Sequence, residues 1–178
     1  DGDGDLDLFI GGTVTPGKWP EFAASRLLLN DGKGVFTDAT LQFSKTMSSV
    51  GMVKDAAWVD VNNDKIKDLI IVGEWMPVKV FINRRNHLED ASEKYVSFSS
   101  SGWWNKILAN DFDRDGDEDL VLANYGTNGQ LLPSENEPVQ LYNSDLDGNG
   151  TNDPVLTSFV QGKSYPFVTM DDIIFQVP

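Results

Sequence analysis

The sequence predicts an all-β fold: a partial β-propeller of about two to three four-stranded antiparallel blades with aspartate-rich loops. Three observations predict it. Aspartate-rich loops recur in one register, each runs into a short aliphatic segment, and Asn-centred hairpins come after them. From Asp7 to Asp68 is 61 residues and from Asp68 to Asp119 is 51, the length of a four-stranded unit.

Composition sets the outer limits. The 178 residues include 28 acidic and 14 basic side chains, a formal charge of −14, with 40% hydrophobic and 11% aromatic residues. That is enough apolar material to bury a core, and disorder is excluded. No apolar run approaches the roughly 18 residues of a membrane-spanning helix, and a surface this acidic repels nucleic acid. With no cysteine, disulfides, thiolate metal sites and cysteine nucleophiles are ruled out.

The charge is local. Of the acids, 21 are Asp and seven are Glu, and 15 of the Asp lie in four segments: 1–7, 60–68, 111–119 and 145–153. The last three place an oxygen-bearing side chain at positions 1, 3, 5 and 9: Asp60, Asn62, Asp64 and Asp68; Asp111, Asp113, Asp115 and Asp119; Asp145, Asp147, Asn149 and Asp153. Gly116 and Gly150 stand at position 6, where a sharp turn needs a residue tolerant of positive φ. So many carboxylates in nine residues repel one another unless a cation lies among them. A hard divalent ion asks for six to eight oxygens, whereas a soft metal would want Cys, Met or His. The predicted cofactor is Ca2+, at up to four sites.

The residues downstream of each loop exclude an EF-hand. Position 12 is Ile71, Leu122 or Leu156, none of which ligates through its side chain, and the downstream segments read as strands: Leu8–Ile10, Leu69–Val72, Leu120–Ala123 and Val155–Thr157. Hairpins are expected at Arg26–Thr40, centred on Asn30, Asp31 and Gly32, and at Lys79–Ser92, with one turn residue fewer. A third begins at Gln140–Asn143, with an acidic loop in place of the ordinary turn. Ala56–Val59 and Lys106–Ala109 open the second and third blades. The expected organisation is residues 1–50 as blade one, shortened at its start, 51–101 as blade two, 102–168 as blade three with a metal loop in its outer hairpin, and 169–178 as the start of a linker or next element. A chain starting inside a metal loop is expected to be a piece of a longer protein, whose strand edges are open to pairing with another copy.

The units Asp3–Gly11 and Asp111–Asn124, with the hairpin Leu29–Asp38, resemble the FG-GAP and VCBS repeat family, which includes the integrin α-subunit propeller. The stretches Asp147–Leu156 and Gln161–Pro166 are similar to VCBS proteins of bacterial surfaces. The resemblance implies a calcium-stabilised β-propeller, extracytoplasmic (secreted, periplasmic or at the cell surface), serving adhesion or ligand binding. Position by position, it implies backbone carbonyl ligands from Ile66, Asp117 and Thr151 at position 7. Asp1, Asp3, Asp5 and Asp7 correspond to positions 3, 5, 7 and 9, an incomplete site. Lys65 at position 6, with Lys67 nearby, makes the 60–68 site the weaker of the complete ones.

The functional expectation is a calcium-stiffened scaffold, without catalysis of its own, whose connections contact a glycan or protein. Trp19, Trp75 and Tyr125 are the aromatic candidates for that contact, whereas Trp58 and Trp104 are expected in the core. His87, the only histidine, reads as a turn residue, and Glu21, Glu74, Glu135 and Glu137 are loose acid–base candidates. The alternatives are part of a calcium-dependent, lyase-like carbohydrate-active enzyme and a structural spacer in a large surface protein.

Overall fold

The computed structural model describes residues 1–169 and 171–173, so the element expected at 169–178 lies for the most part outside the described residues. The chain divides into two compact units: Asp1–Thr13 with Phe22–Asn124, and Val14–Glu21 with the chain from Tyr125 onward.

In the first unit, β1 (Leu8–Ile10), β2 (Arg26–Asn30) and β3 (Phe36–Asp38) form an antiparallel sheet, followed by a short helix α1 (Thr40–Phe43) and a 3-10 turn at Met47–Ser49. Next comes an antiparallel meander of β4 (Met52–Val59), β5 (Asp68–Met76), β6 (Lys79–Asn83) and β7 (Leu88–Asp90), closed by helix α2 (Ser92–Tyr95). The hairpin of β8 (Gly102–Asn110) and β9 (Asp119–Asn124) completes the unit. It joins the meander where Glu74 pairs with Trp103 and Met76 with Gly102.

Strand β5 shows why these segments stack. Leu69, Ile70, Ile71 and Val72 are all 0% exposed, so the strand is covered on both faces. Side chains alternate across a strand. Leu69 and Ile71 accordingly join Leu27, Phe43, Met47 and Phe81 in one cluster, whereas Ile70 and Val72 join Val80, Ile82, Trp104 and Ile107 in another. The meander is the filling between its neighbours, and each fully buried aliphatic side chain contributes roughly 1.5–3 kcal/mol.

The two hairpins end in the same corner. Asp38 Oδ1 accepts from the Thr40 N–H and hydroxyl, and Thr40 Oγ1 accepts the Leu27 N–H at 2.9 Å. Asp90, Ser92 and Val80 repeat this, the last bond being 3.0 Å. Each corner aspartate also meets a cation at the start of its hairpin, Arg26 at 3.3 Å and Lys79 at 2.9 Å. The hydroxyl at the helix start thus fills the backbone donor that the outer strand leaves unpaired.

The second unit contains β10 (Gln140–Ser144), β11 (Asp153–Val160) and β12 (Lys163–Pro166), an antiparallel sheet in that order. Gln161 and Gly162, at φ 51 and 78, make the two-residue turn between β11 and β12. Such tight hairpin turns need positive φ at both residues. Residues 102–168, expected as one blade, therefore contribute strands to two sheets, because β9 pairs with β8 and the connection 125–139 carries no strand to bridge to β10.

The fold is mostly β, built of open antiparallel sheets, none closed into a ring among the described residues. No helix among these residues is long and apolar enough to cross a membrane. Trp104 is buried as expected, its indole N–H donating to the Ser100 carbonyl at 2.7 Å. Trp58 corrects the expectation: it is 37% exposed, on the strand face opposite that of Val59, the neighbouring residue that is wholly buried.

Candidate metal centre

The acidic segments connect strands, as the aliphatic runs after them predict: 60–67 joins β4 to β5, 111–118 joins β8 to β9, and 145–152 joins β10 to β11. The first segment leads into β1. Their backbones take one path. Positions 4 and 6 are left-handed in every loop: Gly2 and Gly4, Asn63 and Lys65, Arg114 and Gly116, Gly148 and Gly150.

The hydrogen bonds repeat with equal fidelity. In the three complete loops the position-1 carboxylate accepts the position-6 N–H: Lys65 at 2.7 Å, Gly116 at 3.1 Å and Gly150 at 2.9 Å. The position-3 oxygen accepts from position 5, where Asn62, Asp113 and Asp147 receive Asp64, Asp115 and Asn149 at 2.9, 3.1 and 3.0 Å. Position 5 likewise accepts from Ile66, Asp117 and Thr151. The first segment keeps the same links between Asp1 and Asp3 and between Asp3 and Asp5. Curling the backbone over each side chain in turn gathers the acids to one side.

The aspartate at position 9 locks the loop to its strands. Asp68 is 0% exposed, its Oδ2 accepting the Val61 N–H at 3.1 Å and its Oδ1 the Asn83 N–H at 2.8 Å. The Asn83 amide in turn donates to the Lys67 carbonyl at 3.0 Å. Asp7 and Asn30 repeat this, with Asn30 N–H on Asp7 and the Asn30 amide on the Leu6 carbonyl. The hairpin asparagine is thereby explained as the partner of the loop-closing acid. Asp119 and Asp153 keep the first half of the pattern, accepting from Phe112 and Leu146.

Charge accumulates at these turns. Burial, then the charges of Asp3, Asp7 and Asp31, pushes the Asp5 pKa upward, and its Oδ1 is buried without a hydrogen-bond partner. Asp117 is raised by its side-chain hydrogen bond with Asp115 and by that group's charge. Burial raises Asp68 in spite of its two N–H donors. Asp60 is the contrary case: desolvation opposes its charge, but the N–H groups of Lys65, Asp64, Asn63 and Asn62 together hold its pKa down. Among the described residues, three acids converge within 4.8 Å at Asp111, Asp113 and Asp115, and at Asp145, Asp147 and Asp153. An oxygen-only donor set, with an orphaned buried carboxylate oxygen in the first segment, fits a hard divalent cation and not a soft one.

Other candidates are dispersed. His87 Nδ1 lies 2.9 Å from Asn86 Oδ1 in the exposed β6–β7 turn. Glu74 pairs with Lys54 at 3.0 Å and Glu21 with Lys18 at 4.0 Å. Trp19 and Tyr125 are exposed, whereas Trp75 is half-buried at φ 58 with its ring edge-on to Trp103, centroids 5.1 Å apart. Sequence reading missed the left-handed position 4, where only Gly2, Asn63 and Gly148 gave a signal and Arg114 gave none.

A family model described as an FG-GAP-like repeat matches residues 1–71 and, overlapping them, residues 60–122. No curated protein and no solved structure matches the chain.

Proposed function

The chain belongs to the FG-GAP-like repeat family, and from that premise we propose that it is a calcium-binding, propeller-type module that presents a rigid surface to a glycan or protein. The observation that carries this reading is the repetition of one loop geometry at four places, with left-handed backbone at positions 4 and 6 each time. Oxygen-bearing side chains at positions 3, 5 and 9 recur in all four, whereas the intervening side chains vary. Asp111, Asp113, Asp115 and Asp119 would hold one ion, and Asp145, Asp147, Asn149 and Asp153 another, with the position-7 carbonyls of Asp117 and Thr151. Asp60, Asn62, Asp64, Ile66 and Asp68 would hold a third, and the segment Asp1–Asp7 contributes a partial set.

FG-GAP-like repeats are in general non-catalytic and typically extracellular, which supports a binding role outside the cytoplasm. Strand β5 runs from Asp68, at the loop end, to Trp75, about 23 Å away at 3.3 Å per residue. The Trp75–Trp103 pair therefore offers an aromatic contact surface remote from the cations, with Trp19 and Tyr125 as further candidates. Aromatic faces of this kind suit both sugar rings and protein side chains.

Calorimetric titration with Ca2+, paired with thermal melts in calcium and in chelator, tests the proposal. A loop that binds at about 10 μM stabilises the fold by about 3 kcal/mol at about 2 mM calcium. The expected shift in melting temperature is about 10 °C. Identical melts in calcium and chelator, with no heat of binding, would refute it.

A further inference from the structure

Lys67 and Glu118 occupy position 8 of consecutive loops, and their side chains form an ion pair spanning 51 residues of sequence. Neither is assigned as a ligand, but each stands between two assigned residues: Ile66 and Asp68 flank Lys67, and Asp117 and Asp119 flank Glu118. The Lys67 backbone is itself tied down, since its carbonyl accepts the Asn83 amide. The strands feeding the two loops are already in register, because Asp55 of β4 accepts the Ile107 N–H and the Lys106 ammonium of β8, both at 2.9 Å.

We propose that the Lys67–Glu118 pair couples these two loops, so that a cation taken up at 111–119 raises the affinity for a cation at 60–68, and the reverse. The inference rests on the cation reading above. Five aspartates in loop 111–119 repel one another, and a cation that draws them together fixes the backbone at 117–119, and with it Glu118. Glu118 then holds Lys67, which adjoins Asp68 at the closing end of the neighbouring ligand set. Linkage makes the effect reciprocal. Repulsion between the two ions acts the other way but is screened at physiological salt. The pair is exposed, at 53% for Lys67 and 36% for Glu118, which limits the coupling to about two- to fivefold. It also changes how the 60–68 loop is understood: the Lys67 charge is taken up by Glu118 and does not compete with the ion.

Terbium luminescence excited through Trp58, two residues before Asp60, reads the 60–68 loop, and Trp58→Phe identifies that signal by removing it. In the full chain, Asp113→Asn with Asp115→Asn disables loop 111–119. Terbium affinity at 60–68 should then weaken about two- to fivefold. In a Lys67→Ala, Glu118→Ala background the same disabling should change nothing, and Lys67→Arg should retain the full response. An unchanged affinity on disabling the loop, or an equal response with and without the pair, overturns the coupling while leaving the cation sites standing. Absence of terbium binding anywhere overturns both.

Discussion

Replacing Asp68 by Asn separates what a loop aspartate does for the backbone from what it does for a cation. Both Asp68 oxygens accept a backbone N–H in a wholly buried position, from Val61 at 3.1 Å and Asn83 at 2.8 Å. An asparagine has one oxygen and one NH2, so one of the two N–H groups must face another donor. A buried donor left unsatisfied costs about 1–3 kcal/mol. Removing the charge returns part of this, because desolvation already works against the Asp68 carboxylate. The net expectation is a loss of about 1–2 kcal/mol, present even in chelator. Asp113→Asn is the contrast. Its oxygen still accepts the Asp115 N–H, and it relieves repulsion in the crowded loop, so in chelator it should leave stability unchanged or improve it. In calcium it should weaken binding. Urea denaturation followed by tryptophan fluorescence measures both, since Trp58, Trp75, Trp103 and Trp104 all lie in the first unit. If Asp113→Asn costs as much as Asp68→Asn in chelator, the division between a strand-locking acid and ligand acids is wrong.

The same loops and corners set two further outcomes. Lys65 holds φ 69 at position 6, where the three other loops have glycine, so Lys65→Gly should stabilise the protein by about 1 kcal/mol in chelator, read as a raised urea midpoint. At Asp90, desolvation opposes the charge, but the Ser92 and Lys79 hydrogen bonds prevail and depress the pKa. The unfolded carboxyl, near pH 4, therefore binds its proton more readily than the folded one. The stabilisation is complete above about pH 4 and is lost as pH falls through the folded value, so Asp90→Asn should flatten the acid limb of a stability–pH curve.

The features legible in the sequence are those whose causes are local. A 1-3-5-9 spacing of oxygens prescribes a loop because the contacts that shape it run between residues two to five apart, as from Asp60 to Lys65. The strand after each loop is equally local, since Leu69–Val72 is apolar on both faces. The hairpin asparagines were visible as turn residues, but their bond to the loop-closing acid spans 15 residues at Asn83 and 23 at Asn30, and no turn propensity encodes it.

The features that could not be read depend on which strand lies beside which. Lys67 looked like an obstacle to a cation in its own loop, because its partner is contributed by the β8–β9 loop, 51 residues further along the chain. Asp55 carried no signal, yet it fastens β4 to β8 through Lys106 and Ile107. The division of residues 102–168 between two sheets has the same origin: β8 pairs with β9, and β10 with β11, by contacts that the spacing of loops does not specify. Local chemistry builds each loop, whereas polar side chains outside the 1-3-5-9 positions fasten together loops and strands distant in sequence. A fold assembled this way can change its outer residues freely, provided that a few such long-range pairs are kept.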